Sequence, residues 1–500
     1  MNLPGRLTRV LDLDPTATAI EFEQQVFPWS FISTMRDELD RQFTAIGLGT
    51  GARVAVLLRN RPHHVAAVTA LLATQRCIVT INPFSSGAKV SDDIRATLVP
   101  VVLADEQDWK VPEIRAAAQA MGARSLLIAP DLKQPLCLLA NPEPAMRTEL
   151  RRTSEGIAIE MLTSGTTGEP KRVALSYRTF QESVEEGLKP DVLSGEPRLK
   201  ASPAIVYPPL VHVGGMFGVT LAFYEPRPIA LLEKFELSKW LELVRRYRPK
   251  FASLVPAAIR MILDANVEPE YLRSLLAVRA GTAPLDQATQ QAFEDRFGVP
   301  VLVTYGATEF AGAVTRWTLD EYKKNRNSKR GSVGRVRPGF ELRVVDRATG
   351  EVMPPGEIGV LEIRAVRLSC DQWIRTTDLA AVDKDGYLFI HGRADEAIIR
   401  GGFKVLPEAV ASVFRQHPSV QDAVVVALPD SKLGQVPGLA VEARKGTPRV
   451  TEEELRAFAR KHLVAYQVPA RYLILDELPR STAMKVRLVE VHQQFNAATS

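Results

Sequence analysis

IAIEMLTSGTTGEPKRVAL, residues Ile157 to Leu175, opens as an apolar strand (Ile157 to Leu162) and closes as a short second one (Val173 to Leu175). Between them Thr163, Ser164, Thr166 and Thr167 supply hydroxyls, Gly165 and Gly168 free the backbone, and Lys171 follows Pro170. In such a turn, backbone N–H and side-chain O–H groups can converge on phosphate oxygens, with the lysine adding a point charge. The spacing is not the Walker pattern, which sets Gly-Lys-Ser/Thr at the start of a helix. A solvated polar loop would share the composition, but the position directly after an apolar strand favours phosphate binding.

Working outward, strand and helix patterns alternate. Phe31, Met35, Leu39 and Phe43 repeat at helical spacing before Gly47, and Arg53 to Leu58, Cys77 to Ile81, Val101 to Ala104 and Ser125 to Ala129 read as strands. This alternation predicts an α/β body of helix-covered, parallel β-sheets. Ser238 is expected to cap a helix over Lys239 to Tyr247, and Asp286 a helix carrying Phe293 and Phe297 that ends at Gly298. From Gly331 to about residue 392 the text turns to short strands with Gly and Pro turns, a small β-rich subdomain. Beyond Gly392 comes a compact α+β segment with a helix opened by Pro407, a strand over Ala423 to Leu428 and a capping box at Thr451 and Glu454. The expected division is therefore a large domain over 1–393 and a small domain over 394–500.

Composition narrows the function. The chain has 500 residues, 46% apolar and 24% charged, with 63 basic against 58 acidic side chains. A formal excess of +5 is weak for nucleic acid, so no nucleic-acid partner is expected. Cys77, Cys137 and Cys370 form no CxxC pair, which points away from a disulfide framework or zinc cage and toward a reducing, cytoplasmic address. Met1 to Leu13 lacks the apolar core of a signal peptide. The uncharged run Ala201 to Tyr224 is broken by Pro203, Pro208, Pro209 and Gly214-Gly215, so it reads as buried strand and loop, with no membrane span.

Further strings follow in order along nearly the whole chain: VPAAIRMIL (Val255 to Leu263), RAGTAPLDQ (Arg279 to Gln287), TYGATEFAG (Thr304 to Gly312), TTDLAAVDKDGYLFIHGRADEAIIRGGFKVLPEAV (Thr376 to Val410) and LPRSTAMKVRL (Leu478 to Leu488). Together with TSGTTGEPK they resemble the adenylate-forming superfamily of acyl-CoA ligases, peptide-synthetase adenylation domains and firefly-type luciferases. The resemblance is strongest to free-standing acyl- or aryl-CoA ligases. It implies a mobile small C-terminal domain that swings about Asp395. It also implies ATP and Mg²⁺ as cofactors, a small-molecule carboxylic acid as substrate, and coenzyme A as the expected acyl acceptor.

The resemblance assigns roles residue by residue. Thr163 to Gly168 and Lys171 would hold the β- and γ-phosphates, Thr308 would contact the α-phosphate, and Glu309 would hold Mg²⁺. Gly281, Thr282, Ala283 and Tyr305 would border adenine, while Asp378 and Arg393 would take the ribose. Lys485 would reach the carboxylate and the α-phosphate, carrying the adenylation step. Gly401 and Gly402 would line the pantetheine entrance, and His212 would change position between the half-reactions. Taken singly, Glu309 and Lys485 could be surface charges, Asp378 and the glycine pair turn residues, Tyr305 and His212 core residues. Gly214 and Gly215 hint at room for a bulky acid.

Three positions depart from the family's pattern. Arg172 follows the Pro-Lys pair, Thr377 precedes Asp378, and Met484 precedes Lys485, each where glycine is usual. The functional side chains remain, so adenylation is expected to be retained and the acceptor is left open. The alternatives are an amide synthetase, transfer to a separate carrier-protein thiol, a luciferase-like oxygenase, and a non-catalytic nucleotide-binding relative.

Overall fold

A computed structural model describes residues 1–140, 150–162, 171–186, 188, 190–366 and 372–498. Contacts gather the chain into two units, Met1–Pro249 and Lys250–Ser500. The boundary expected near Arg393 lies inside the second unit.

The first unit is built on a seven-stranded sheet. Its order runs Leu136–Ala140, Arg124–Ile128, Val101–Ala104, Arg53–Leu57, Cys77–Ile81, Ile157–Leu162, Arg172–Ser176. The five inner strands are parallel and the two edge strands antiparallel. All residues of Arg53–Leu57, Cys77–Ile81 and Val101–Ala104 are buried, as predominantly apolar strands covered on both faces should be. The Pro62–Ala73 helix begins on a proline, which lacks an N–H the first turn could not use, and all of its residues are buried. The α/β body of helix-covered sheets is thus as the alternation predicted.

Two local readings change. The run over 201–224 contains the strand Ala204–Val206 and a twelve-residue helix, Val213–Tyr224, where strand and loop were expected. Gly215 does not break this helix because it is needed there: a Cβ would collide with the Pro209 carbonyl. Its missing side chain therefore serves packing, while Gly214 faces open space. The helix near 238 begins at Leu237 and is preceded by Glu236, so Ser238 lies inside it and does not cap it.

In the second unit, three parallel strands, Phe251–Leu254, Ala277–Ala280 and Val301–Val303, precede antiparallel sheets. Asp286 caps Gln287–Phe297 by accepting from the Thr289 N–H, and Gly298 ends that helix at φ +66. The strands Glu341–Val345, Gly359–Arg364, Trp373–Val382 and Leu388–Arg393 form an antiparallel sheet packed on Phe310, Val314 and Phe340. The last segment holds a five-stranded sheet whose long hairpin pairs Val420–Asp430 with Gly434–Ala443. Alternate residues split between two cores: Val425 and Leu439 meet Val410, Phe414 and Leu455, whereas Val426 and Ala440 meet Val491 and Phe495. Period-two alternation with helices on both faces is the α+β grammar expected of this segment. The Thr451–Glu454 capping box is present.

A buried polar group marks the amino end of the Pro62–Ala73 helix. The His63 and His64 rings lie tilted at 42° with centres 4.5 Å apart, and His64 Nε2 lies 3.4 Å from Asp105 Oδ2. The donor atoms of His63, His64 and Asp105 fall within 4.8 Å of one another. Arg61 at 3.2 Å and Arg59 at 3.8 Å already answer the Asp105 carboxylate, so a further cation would meet repulsion, and the group reads as structural. Burial, against the pull of Asp105, pushes His64 from 6.5 down to about 4. A neutral folded histidine whose unfolded counterpart takes up a proton lowers stability as pH falls from about 6.5 toward 4, by roughly 3 kcal/mol over that window. Urea melts of the wild type and of His64→Gln between pH 7.5 and 4.5 check this. The variant is expected to show the shallower pH slope whatever its absolute stability, and equal slopes would refute the assignment.

Candidate active site

In the second unit, all three parallel strands deliver a sequence motif from the same edge. The register sets Leu254 beside Ala280 and Ala280 beside Val303, so their carboxyl ends are level. Immediately beyond lie Val255-Pro256, Gly281-Thr282-Ala283 and Thr304-Tyr305-Gly306. Loops at the carboxyl ends of parallel strands are where α/β sheets collect ligands. Two of the loops are stitched together: the Thr304 N–H and hydroxyl both donate to the Ala280 carbonyl, at 2.8 and 3.2 Å. A Cβ on Gly281 would sit 2.8 Å from the Thr304 hydroxyl, and one on Gly306 would strike the Gly312 carbonyl. Thr282 takes φ +72, a left-handed conformation unusual for a branched residue.

Tyr305 leads into this group. Its hydroxyl donates to Asp378 Oδ2 at 2.5 Å across 73 positions of sequence. Asp378 stands on the strand Trp373–Val382 directly opposite Arg393 on Leu388–Arg393. Burial raises the Asp378 carboxyl above its ordinary value, while the Tyr305 hydrogen bond and the Arg393 charge act against it. Burial and the neighbouring carboxylate push Tyr305 up. Arg393 grips Asp395 with two bonds, Nε at 3.0 Å and a terminal nitrogen at 2.7 Å. Lys485 is half-buried on a tight turn and feels this group: burial first, then the Arg393 charge, lowers its pKa from 10.5. Tyr305, Asp378, Arg393 and Asp395 are thus brought together, two carboxylates and a guanidinium beside an aromatic ring, with the Arg393 charge felt by Lys485.

Thr308 and Glu309 follow in a short 3₁₀ turn, Thr308–Phe310, where Glu309 is exposed and presents a hard oxygen donor of the kind a divalent cation takes. Gly401 (φ +54) and Gly402 (φ +90) form the tip of the hairpin Ile398–Arg400/Phe403–Val405, whose contacts run to Leu433 and Gln435. Both glycines hold left-handed turn conformations. In the first unit, His212 precedes the Val213–Tyr224 helix at φ −111 and is half-buried, and Lys171 is exposed beside the strand Arg172–Ser176. Thr163, Ser164, Gly165, Thr166, Thr167 and Gly168 lie outside the described residues.

The three departures from glycine have different physical consequences. Thr377 lies where the strand pairing with Gly359–Arg364 shifts register, but its φ is not left-handed and its carbonyl accepts from the Ala394 N–H, so no special backbone conformation is lost. Met484 keeps the left-handed turn (φ +60) that glycine would adopt freely, at a strain of about 1 kcal/mol. Arg172 gains contacts that glycine could not make. One terminal nitrogen donates to the Thr80 and Glu160 carbonyls at 3.1 and 3.2 Å, and the other meets Asp93 at 2.6 Å. Arg172→Gly is expected to lower unfolding stability by about 2–3 kcal/mol, because Asp93 and two carbonyls are left half-buried without their donor. A denaturant melt showing no loss would contradict that role.

The same unit contains a cluster of side chains that sequence reading passed over. Asp422 is 3% exposed and gathers Arg260, Arg415 and Arg480 around one carboxylate, and Arg480 belongs to the same turn as Lys485. No spacing rule links positions 260, 415, 422 and 480.

Comparison with known proteins identifies the family. The AMP-binding enzyme family matches residues 7–368, and the AMP-binding enzyme C-terminal domain matches residues 409–485. 4-Coumarate–CoA ligase 2 of Petroselinum crispum is 27% identical over 485 residues, covering 92% of this chain and 88% of the relative. ATP-bound MatB from Rhodopseudomonas palustris superposes with a TM-score of 0.80 at 23% identity, covering 99% of both chains. The amide bond synthetase McbA from Marinactinospora thermotolerans superposes with a TM-score of 0.77 at 24% identity, covering 99% of this chain and all of that one. At those identities the two structures speak for the fold alone. With both domains matched over most of its length, the chain belongs to the AMP-binding enzymes, the adenylate-forming family that its motifs resemble.

Proposed function

We propose that the protein is an ATP- and Mg²⁺-dependent carboxylic acid ligase that forms an acyl-adenylate and passes the acyl group to coenzyme A. The observation that carries this reading is the hydrogen-bonded Tyr305–Asp378 pair opposite Arg393, whose charge also acts on the half-buried Lys485. In the first step the acid's oxygen attacks the α-phosphorus, the bond to the β-phosphate oxygen breaks, and pyrophosphate leaves. In the second, the thiol sulfur attacks the acyl carbon, AMP leaves, and the thiol proton goes to solvent.

Both first-step partners are anions, so the chain must supply positive charge and hold the attack in line. Asp378 accepts the ribose hydroxyls, Tyr305 with Gly281, Thr282 and Ala283 borders the base, and Arg393 supports the ribose side. Thr308 donates to the α-phosphate, and Lys171 with Thr163 to Gly168 cradles the outer phosphates. Glu309 would hold Mg²⁺, which when bound screens the phosphate charge. Lys485 places its ammonium on the acid's carboxylate and the α-phosphate oxygens. For the second step we read 1–393 and 394–500 as domains that turn about Asp395, with Gly401 and Gly402 beside the incoming pantetheine and His212 gating the acid. The reducing address that three dispersed cysteines favour makes the cytoplasm the expected compartment.

Support comes from the family membership and from the coumarate–CoA ligase relative. The experiment is pyrophosphate release from purified protein, ATP and a panel of aryl, dicarboxylic and fatty acids. AMP, not ADP, is the expected co-product, and silence across the panel would overturn the proposal. The second reading is an amine acceptor. It is favoured by Met484, whose bulk and left-handed strain next to Lys485 make the turn less permissive than a glycine would. Competition between coenzyme A and simple amines for one adenylate separates the two.

A further inference from the structure

The Lys485 turn is tied to the Pro256–Asp264 helix through a chain of charges. Arg260, at the middle of that helix, lies 3.3 Å from Asp422 Oδ2, and Arg480 lies 2.7 Å from the same oxygen. Arg415 takes the other oxygen at 2.9 Å. Burial alone would raise the Asp422 carboxyl, but the charges of Arg260, Arg415 and Arg480 hold it well below the usual range. Arg480 then reaches the turn itself: it donates to the Met484 carbonyl at 3.3 Å and bridges Val486 across the turn. Within the turn, the Ser481 N–H donates to the Lys485 carbonyl at 2.8 Å. A second tie joins the end of the same helix, where Asp264 accepts from Arg444 and Gln421.

We propose that Asp422, with Arg260 and Arg480, is a positioning residue for adenylation, holding the Lys485 turn in register with the Pro256–Asp264 helix. The inference rests on the reading that Lys485 serves that step.

Two physical features favour this over a purely structural ion cluster. Buried ion pairs rarely add stability over apolar packing, so three guanidiniums on one carboxylate suit orientation better than cohesion. Each side also keeps a partner of its own. Arg260 faces Asp286 at 3.6 Å, Asp422 keeps Arg415, and Arg480 keeps Glu442 at 3.1 Å. Undoing the Arg260–Asp422 pair therefore leaves an opposite charge near each group, as a contact that forms and breaks in each turnover requires. An apolar contact of the same reach would expose its surface to water each time.

The test uses the full-length protein with Arg260→Gln, the conservative Arg260→Lys, and Asp264→Asn as an independent break of the second tie. Acetic anhydride labelling of Lys485, read by mass spectrometry with no substrate present, reports the turn directly. Labelling is expected to rise about threefold or more in Arg260→Gln and to return toward wild type in Arg260→Lys, as a freed half-buried amine reacts faster. In ATP–pyrophosphate exchange, run with whichever of benzoate, 4-coumarate and malonate gives most pyrophosphate release, kcat is expected to fall about tenfold with the KM for ATP little changed. Thioester formation from the synthetic adenylate of that acid should stay at the wild-type rate. Wild-type labelling and exchange in both Arg260→Gln and Asp264→Asn would overturn the proposal, as would equal loss of both half-reactions. Lys485→Ala, run in parallel, separates the two ideas: exchange that survives in it refutes the role of Lys485 itself and not the tie.

Discussion

Lys485→Ala is expected to lower the rate of acyl-adenylate formation by about 10²–10³-fold, the usual loss when one preorganised donor to a developing anion is removed. The Lys485 ammonium is half-buried and feels Arg393, and burial and Arg393 both lower its pKa from 10.5. Positive charge confined there is therefore poised for an anionic ligand, since binding one would reverse the unfavourable balance. The same shift fixes a pH signature. An ammonium with a lowered pKa loses its proton sooner as pH rises, so the rate should fall on the alkaline side with an apparent pKa below 10.5. Lys485→Arg keeps its charge through that range and should flatten the limb while retaining only part of the rate, because a planar guanidinium cannot occupy the same point. Pre-steady-state pyrophosphate release reads the first step, and thioester formation from supplied adenylate reads the second. Loss confined to the first step fits the assigned role. Equal loss of both would return Lys485 to an ordinary structural charge.

What the sequence could and could not foretell follows the range of the interactions involved. The Asp286 cap, the Gly298 stop, the Phe293–Phe297 pair at 4.7 Å and the Thr451–Glu454 box are settled within one or two helical turns, and all are present. The parallel sheet was legible because strands buried on both faces are predominantly apolar, as Val101–Ala104 is throughout. The Val213–Tyr224 helix was not, because proline and glycine weigh against helix locally. Only the Pro208–Pro209 backbone, packed against Gly215, shows why glycine stands there. Ser238 is a good cap by type, yet the helix starts one residue earlier. The site divides the same way. Its members were recognised through motif resemblance, but the bond from Tyr305 to Asp378, and the gathering of Arg260, Arg415 and Arg480 on Asp422, join residues with no common period. Tertiary contact alone makes them neighbours.

Asp378→Ala is expected to raise the KM for ATP by roughly 10²-fold, since two hydrogen bonds from ribose hydroxyls to a charged acceptor are worth about 1.5–3 kcal/mol each, less what water recovers. Asp378 is suited to this task by its surroundings. Tyr305 occupies Oδ2 and fixes the carboxylate plane, while Arg393 across the strand pair favours the ionised form. Burial nonetheless dominates and raises the carboxyl above 3.8, so protonation begins at a higher pH than for an exposed aspartate. The KM for ATP should therefore climb as pH falls through that raised value, and Asp378→Asn, which cannot titrate, should be weak but flat over the same range. Tyr305→Phe removes a hydrogen bond that favours the ionised carboxylate, so the acid limb should move to still higher pH, with a KM increase of about five- to tenfold at neutrality. If Tyr305→Phe left both the limb and the KM in place, the pair would be a packing contact. The adenine and ribose assignments would then have to be sought elsewhere along the carboxyl edge of the parallel strands.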